Sequence, residues 1–177
     1  MFRFYSTLTL LLLLTLSSCK DNTQIQKLEN PTQVQDNSET ILLRGNKKML
    51  ALENEDIELF IKRYKWNMIK TGTGLRYEIV EKGTGSIPKK GDAVELEFVT
   101  QLLTGDTIYT SKERGVKKFQ VEKTDEIVGL HEAVQLIPKG SVAYLVIPSY
   151  MAYGIAGDGD QIFGQHALVM TIKILNK

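Results

Sequence analysis

From Val94 to Leu102 apolar and polar residues alternate, with Val94, Leu96, Phe98 and Leu102 on one face and Glu95 and Glu97 on the other. Successive side chains of a strand point to opposite sides, so this spacing describes a strand with one buried and one wet face. Leu75 to Glu81 (LRYEIVE) alternates likewise, Val142 to Ile147 and Leu168 to Leu175 (LVMTIKIL) are further strands, and Lys118 to Val121 is a short one. Strands apolar on one side need a cover. The chain offers a short amphipathic helix, in which Ile127, Leu130, Val134 and Ile137 recur at helical spacing before Pro138 and Gly140 stop it. Turn-linked strands with one such helix predict an α+β fold, an antiparallel β-sheet half wrapped around one short α-helix.

The 177 residues, 42% of them apolar, suit one domain with appendages. Their 22 basic and 21 acidic residues leave a net charge of +1, which gives no long-range field to gather nucleic acid, and no basic stripe with interleaved aromatics is present. Nucleic acid is therefore excluded as a partner.

Ahead of the sheet, Leu52, Ile57, Phe60, Ile61 and Tyr64 approximate helical spacing, with acids early (Glu53, Glu55, Asp56, Glu58) and bases late (Lys62, Arg63, Lys65), as the helix dipole favours. This predicts a short N-terminal helix over 48–70 that packs on the domain or, alternatively, pairs with a second copy. Thr71-Gly72-Thr73-Gly74 ends it, leaving 71–177 as the sheet domain. Asp21 to Thr40 is rich in Gln, Asn, Thr and Asp with few large apolar residues, so 19–47 reads as a solvated tether.

The first 18 residues have the layout of an export signal: Arg3, the apolar run Leu8 to Leu16, then Ser17-Ser18. The run falls short of the roughly 20 apolar residues a membrane span needs. The only cysteine follows at once, and Leu16-Ser17-Ser18-Cys19 resembles a bacterial lipobox. The expectation is a lipid on Cys19 that anchors the protein in the bacterial cell envelope, facing the periplasm. No other thiol remains for a disulfide.

Several chemistries fail on their own requirements. Gly83 to Lys90 lacks the glycine before the lysine of a phosphate loop, where Lys89 stands. Asp158-Gly159-Asp160 lacks the remaining ligands of a calcium loop. His131 and His166 have no cysteine beside them, so no metal site is expected, and Ser149 has no relay that would make it a nucleophile.

The order VELEF, GDTIYTS, ER, EIVGLHEAVQLIPKG, VIPSYMAYG and IFGQHALVMTIKIL resembles the FK506-binding-protein family of peptidyl-prolyl isomerases over about Gly74 to Asn176. Its most specific parts are Ile127-x-Gly129, Pro138-Lys139-Gly140, and Ser149-Tyr150-Met151-Ala152-Tyr153-Gly154, which matches the A-Y-G of the family's P-x-x-A-Y-G segment. The preceding Trp66-Asn67-Met68 and Thr73-Gly74-Leu75-x-Tyr77 resemble the lipoprotein branch associated with gliding motility. The resemblance implies a pocket between sheet and helix, in which Tyr153 donates a hydrogen bond to a carbonyl of a bound proline-containing segment. Phe98, Ile108, Tyr109, Glu126 and Ile127 would line it, Leu130 would be its floor, and Ile162 and Met170 would be further walls. No cofactor is implied.

The departures are Ile108-Tyr109 where the family has Phe-Asp, Leu130 where it has tryptophan, and Met170 where it has phenylalanine. These imply an apolar pocket short of rings and of one carboxylate, with weakened macrolide affinity and a reduced catalytic rate. A non-catalytic peptide-binding module of the same fold is the alternative, favoured by Tyr109, Leu130 and Met170. A purely structural lipoprotein would need no pocket.

Overall fold

The computed structural model describes residues 31–176, with side chains from residue 38 onward. The expected export signal, Cys19 and residues 19–30 of the tether lie outside the described residues. The chain divides into two compact units, Met1–Leu42 and Leu43–Lys177. Of the first, residues 31–42 are described, and they are helical.

Helix α1 runs Pro31–Tyr64. It starts well before Lys48, so residues 31–47, expected as tether, are helix, and it stops short of residue 70. The segment lacks an apolar stripe, which is why it reads as solvated, yet its Gln, Glu, Leu, Arg and Lys are strong helix formers. Pro31 sits in the first turn, where its missing N–H costs nothing. At the other end Lys65 takes φ 56° and the Trp66 N–H reaches back to the Ile61 carbonyl at 3.2 Å, a left-handed stop. Among the described residues no helix is long and apolar enough to cross a membrane.

The second unit continues with β1 (Ile69–Lys70), β2 (Arg76–Glu81), β3 (Ala93–Leu102), β4 (Thr107–Thr110), α2 (Ser111–Arg114), β5 (Lys117–Gln120), α3 (Val128–Val134), β6 (Val142–Ile147) and β7 (Leu168–Ile174). They form one antiparallel sheet in the order β1-β2-β6-β7-β3-β4. Strand β5 pairs Ala93–Leu96 of β3 and β4 pairs Val99–Gln101, so the two share one edge of β3 and α2 bulges out between them. Register sets the inner face: Phe98 lies opposite Ile172, Thr100 opposite Met170, and Leu102 opposite Leu168.

Both faces of the sheet are covered. On one side Leu130, Ala133 and Val134 of α3 and the following Ile137 are fully enclosed in a cluster with Leu96, Leu145, Ile147 and Ile172. On the other, Ile57 and Phe60 of α1 form a second cluster with Val146, Ala167 and Val169, flanked by Trp66. Leu145-Val146-Ile147 and Leu168-Val169-Met170 are therefore unbroken apolar runs, because each alternate residue meets a different cover. Polar contacts fix α1 in place. Buried Arg76 donates to the Gly74 carbonyl at 2.7 Å, to Glu58 Oε1 at 2.7 Å and to Asn54 Oδ1. The hydrogen bond from Arg76 holds the Glu58 carboxyl below its ordinary range.

Candidate active site

The residue after β6, Pro148, cannot continue a strand ladder, and the chain turns into a single 3-10 turn, Ser149–Met151. Met151 anchors the turn in the core. Gly154 then takes φ 61°, a conformation that side-chain-bearing residues rarely adopt, and the chain doubles back so that the Gln165 N–H meets the Gly154 carbonyl at 2.7 Å. Tyr153 is left half-buried at the root of the 155–164 loop, in a cleft of about 360 Å³.

Phe98, Tyr109, Glu126, Ile127, Tyr153 and Met170 share the lining of this cleft. Three other expected lining residues lie outside it. Leu130 is wholly enclosed in the core: Ile127 reaches the cleft because it precedes the first turn of α3, and Leu130 stands one turn deeper. Ile162, on the 155–164 loop, is buried in the main core cluster, and Ile108, opposite in pleat to Tyr109, packs against the core from outside the lining. Thr100 and Leu168 take their places, as the β3–β7 register requires.

The rim is more polar than the sequence suggests. The Tyr109 hydroxyl donates to Asp158 Oδ2 at 2.5 Å and accepts the Gln161 N–H at 3.1 Å. Asp158 Oδ1 accepts the N–H groups of Asp160 and Ile162, each at 2.9 Å, so its carboxylate organises the loop. Burial works to raise the Asp158 carboxyl, but these donors together hold it below its ordinary value. Burial, then the bond to Asp158, pushes the Tyr109 hydroxyl up. Arg114 lies over the Tyr109 ring, 4.2 Å from its centroid, and pairs with Asp160 at 2.6 Å. Lys117 pairs with Glu126 at 2.7 Å, 5.4 Å from the Phe98 ring centroid, and Glu126 Oε1 also accepts the Ile127 N–H.

Tyr153 differs from its neighbours. No described residue hydrogen-bonds its hydroxyl, whose pKa is pushed up to about 12 by burial first and then by the negative charge of Glu126 and Asp158. It therefore remains a proton donor across any physiological pH. Its surroundings combine that donor with the apolar surfaces of Phe98, Ile127, Leu168 and Met170.

The chain matches the family of FKBP-type peptidyl-prolyl cis-trans isomerases over residues 85–175. It belongs to that family. It is 33% identical over 134 residues to the outer membrane protein MIP of Legionella longbeachae, covering 74% of this chain and 56% of that protein. It is 35% identical over 105 residues to the probable FKBP-type isomerase FkpA of Neisseria meningitidis serogroup B, covering 59% and 38% respectively. The crystal structure of FkpA from Escherichia coli superposes with a TM-score of 0.61 at 29% identity, over 84% of this chain and 73% of that one. The chain thus spans little more than half the length of these curated relatives, or less.

Within this FKBP-type cleft Asp158, on the facing loop, brings a carboxylate to Tyr109 and receives its hydroxyl. Asp158, Arg114 and Lys117, like Thr100 and Leu168, line the cleft beyond the residues to which the sequence points. In the sequence Asp158 belongs to an incomplete calcium-loop pattern, and Arg114 to the pair Glu113-Arg114, which carries no role by itself. Among the described residues no group of three His, Cys, Asp or Glu gathers where a metal ion could be held. His131 is structural: its Nδ1 accepts the Glu122 N–H and its Nε2 faces the Thr124 carbonyl, both at 3.1 Å, fixing the approach to Glu126.

Proposed function

We propose that the cleft binds proline-containing polypeptide segments and accelerates rotation about the bond preceding proline. The observation that carries this is the uncommitted Tyr153 hydroxyl in a cleft it shares with Phe98, Ile127, Leu168 and Met170. Resonance holds a peptide bond planar with a barrier of about 18–20 kcal/mol. Before proline the isomers differ by only about 0.5–1 kcal/mol, yet exchange takes tens to hundreds of seconds. The problem is kinetic, so neither covalent chemistry nor a cofactor is required.

At the top of the barrier the amide is twisted and less polar than in its planar forms. A surface made of Phe98, Ile127, Leu168 and Met170 disfavours the charge-separated planar state relative to the twisted one. Tyr153 donates to a neighbouring carbonyl and holds the segment while the bond turns, a positioning role without proton transfer. The Lys117–Glu126 and Arg114–Asp160 pairs border the cleft and restrict what can flank the proline. They also disfavour a large apolar macrolide, whose affinity is correspondingly weak.

Tyr153→Phe keeps the ring and removes the donor. It should lower kcat/KM for an X-Pro peptide by the worth of one hydrogen bond, about 0.5–1.5 kcal/mol or roughly two- to tenfold, with little change in melting temperature. Melting and isomerisation measured on the same variant separate the roles: a rate equal to the parent's removes the carbonyl anchor. Peptide binding by a parent protein without isomerase activity would assign the cleft to capture alone.

The location proposed for this activity is the bacterial envelope, with a lipid on Cys19 as the anchor. The apolar run ending in Leu16-Ser17-Ser18-Cys19 supports it. Acyl chains contribute about 0.8 kcal/mol per buried methylene, enough for several chains on one residue to hold the protein at a membrane surface. Cys19→Ser should move the protein from the membrane to the soluble fraction, and continued sedimentation with membranes would place the anchor elsewhere.

A further inference from the structure

We infer that Glu53, on α1 and outside the cleft, is a positioning residue for Tyr153. The inference rests on the proposed isomerase reading and adds a residue to it. The 3-10 turn that delivers Tyr153 begins behind Pro148, which has no side chain able to cap it. The Ser149 N–H is therefore an orphan donor, and Ser149 is buried, so water cannot readily satisfy it. Glu53 Oε1 accepts that N–H at 2.8 Å from an element 96 residues earlier in the chain. A carboxylate on a backbone donor is a charge-assisted bond, stronger than a neutral one.

Ser149 is also the point from which Tyr153 hangs. Its carbonyl accepts the N–H of Ala152 at 3.0 Å and of Gly154 at 2.8 Å, the residues immediately before and after Tyr153. Holding Ser149 thus fixes both flanks of the tyrosine. Glu53 is itself fixed, because the next turn of α1 carries Asn54, Ile57 and Glu58, which bind Arg76 or enter the second core cluster. A separate tether, the Tyr150 hydroxyl on the Thr73 carbonyl at 2.7 Å, does not depend on Glu53. Removing the Glu53 carboxylate should accordingly loosen the turn without detaching it. Tyr153 would then keep its ring in the cleft and lose the aim of its hydroxyl.

The test uses the full chain and four variants: Glu53→Ala, Glu53→Gln, Tyr153→Phe, and the double variant Glu53→Ala with Tyr153→Phe. Two quantities are read, kcat/KM on an X-Pro peptide and amide hydrogen exchange at Ser149 and Gly154. Glu53→Ala should lower kcat/KM about three- to tenfold and speed exchange at both amides about tenfold or more. Glu53→Gln, which retains a carbonyl acceptor, should return both to within about twofold of the parent. In the Tyr153→Phe background Glu53→Ala should cost little further activity, because the hydroxyl it aims is already gone. Equal losses in both backgrounds, or unchanged exchange at Ser149 and Gly154, would overturn the assignment. If Tyr153→Phe alone leaves the rate intact, the carbonyl-anchor reading falls, whereas the exchange data still decide whether Glu53 holds the segment.

Discussion

Gly164→Ala should lower isomerisation about a hundredfold while leaving the packing of α3 on the sheet in place. A Cβ at this position would stand 1.7 Å from the Ile155 carbonyl oxygen and 2.5 Å from its carbon, both backbone atoms that cannot swing aside. The two ends of the 155–164 loop must therefore part. That movement pulls on the Gln165 N–H bond to the Gly154 carbonyl, directly beside Tyr153, and on the Asp158 N–H bond to the Ile162 carbonyl. Asp158 then withdraws from Tyr109, and the cleft loses both its donor geometry and its carboxylate. Displacing a positioning group by about 1 Å is enough for a loss near a hundredfold, well beyond the two- to tenfold expected for deleting the Tyr153 hydroxyl. Gly72→Ala, whose Cβ would meet nothing within 4 Å, is the matched control and should leave the rate unchanged. A Gly164→Ala protein that isomerises as fast as the parent would mean the loop plays no part in shaping the cleft.

What the sequence discloses and conceals divides along physical lines. Period-two alternation places β2 and β3 within a residue of their observed bounds, because the pleat forces it. The motif around Tyr153 puts that residue in the cleft, since a turn, a 3-10 segment and a left-handed glycine are local requirements. Depth is not local. Leu130 and Ile127 lie on one helical stripe, and only the position of the helix end against the sheet decides that Ile127 meets the cleft and Leu130 does not.

Pairing across the cleft is not local either. The hydroxyl of Tyr109 and the carboxylate of Asp158 are 49 residues apart, and nothing in either neighbourhood announces the other. The second cover of the sheet is legible in part. The residues of α1 that pack on it, Ile57 and Phe60, form a narrow stripe on a helix whose mean character is polar. That stripe suffices to predict a helix over 48–70 packed on the domain, whereas residues 31–47, which lack it, read as tether although they continue the same helix.

That second cover should be worth a large fraction of the domain's stability, which Phe60→Ala tests. Phe60 is buried with Ile57, Val146, Ala167 and Val169, and its ring meets Trp66 edge-on at 5.5 Å. Trp66 in turn stacks on Tyr144 of β6 at 4.6 Å. Removing such a ring costs about 3–5 kcal/mol, because the cavity left between a helix and a sheet collapses only in part. For a protein of this size each kcal/mol lowers the melting temperature by about 2–4 °C, so the expected fall is roughly 6–20 °C. Trp66 is the only tryptophan, which makes its fluorescence a reporter of this interface alone. Two results are therefore expected together: an early loss of the Trp66 signal on heating, and a lower global melting temperature by circular dichroism. If the Trp66 signal is lost but the sheet melts where it did before, α1 is an appendage that contributes little to the fold. In that case activity at moderate temperature should still fall as far as it does in Glu53→Ala, since undocking α1 withdraws the same carboxylate from Ser149. A protein that loses the helix signal yet keeps its full rate would instead show that Tyr153 is aimed by the sheet and the 155–164 loop without help from α1.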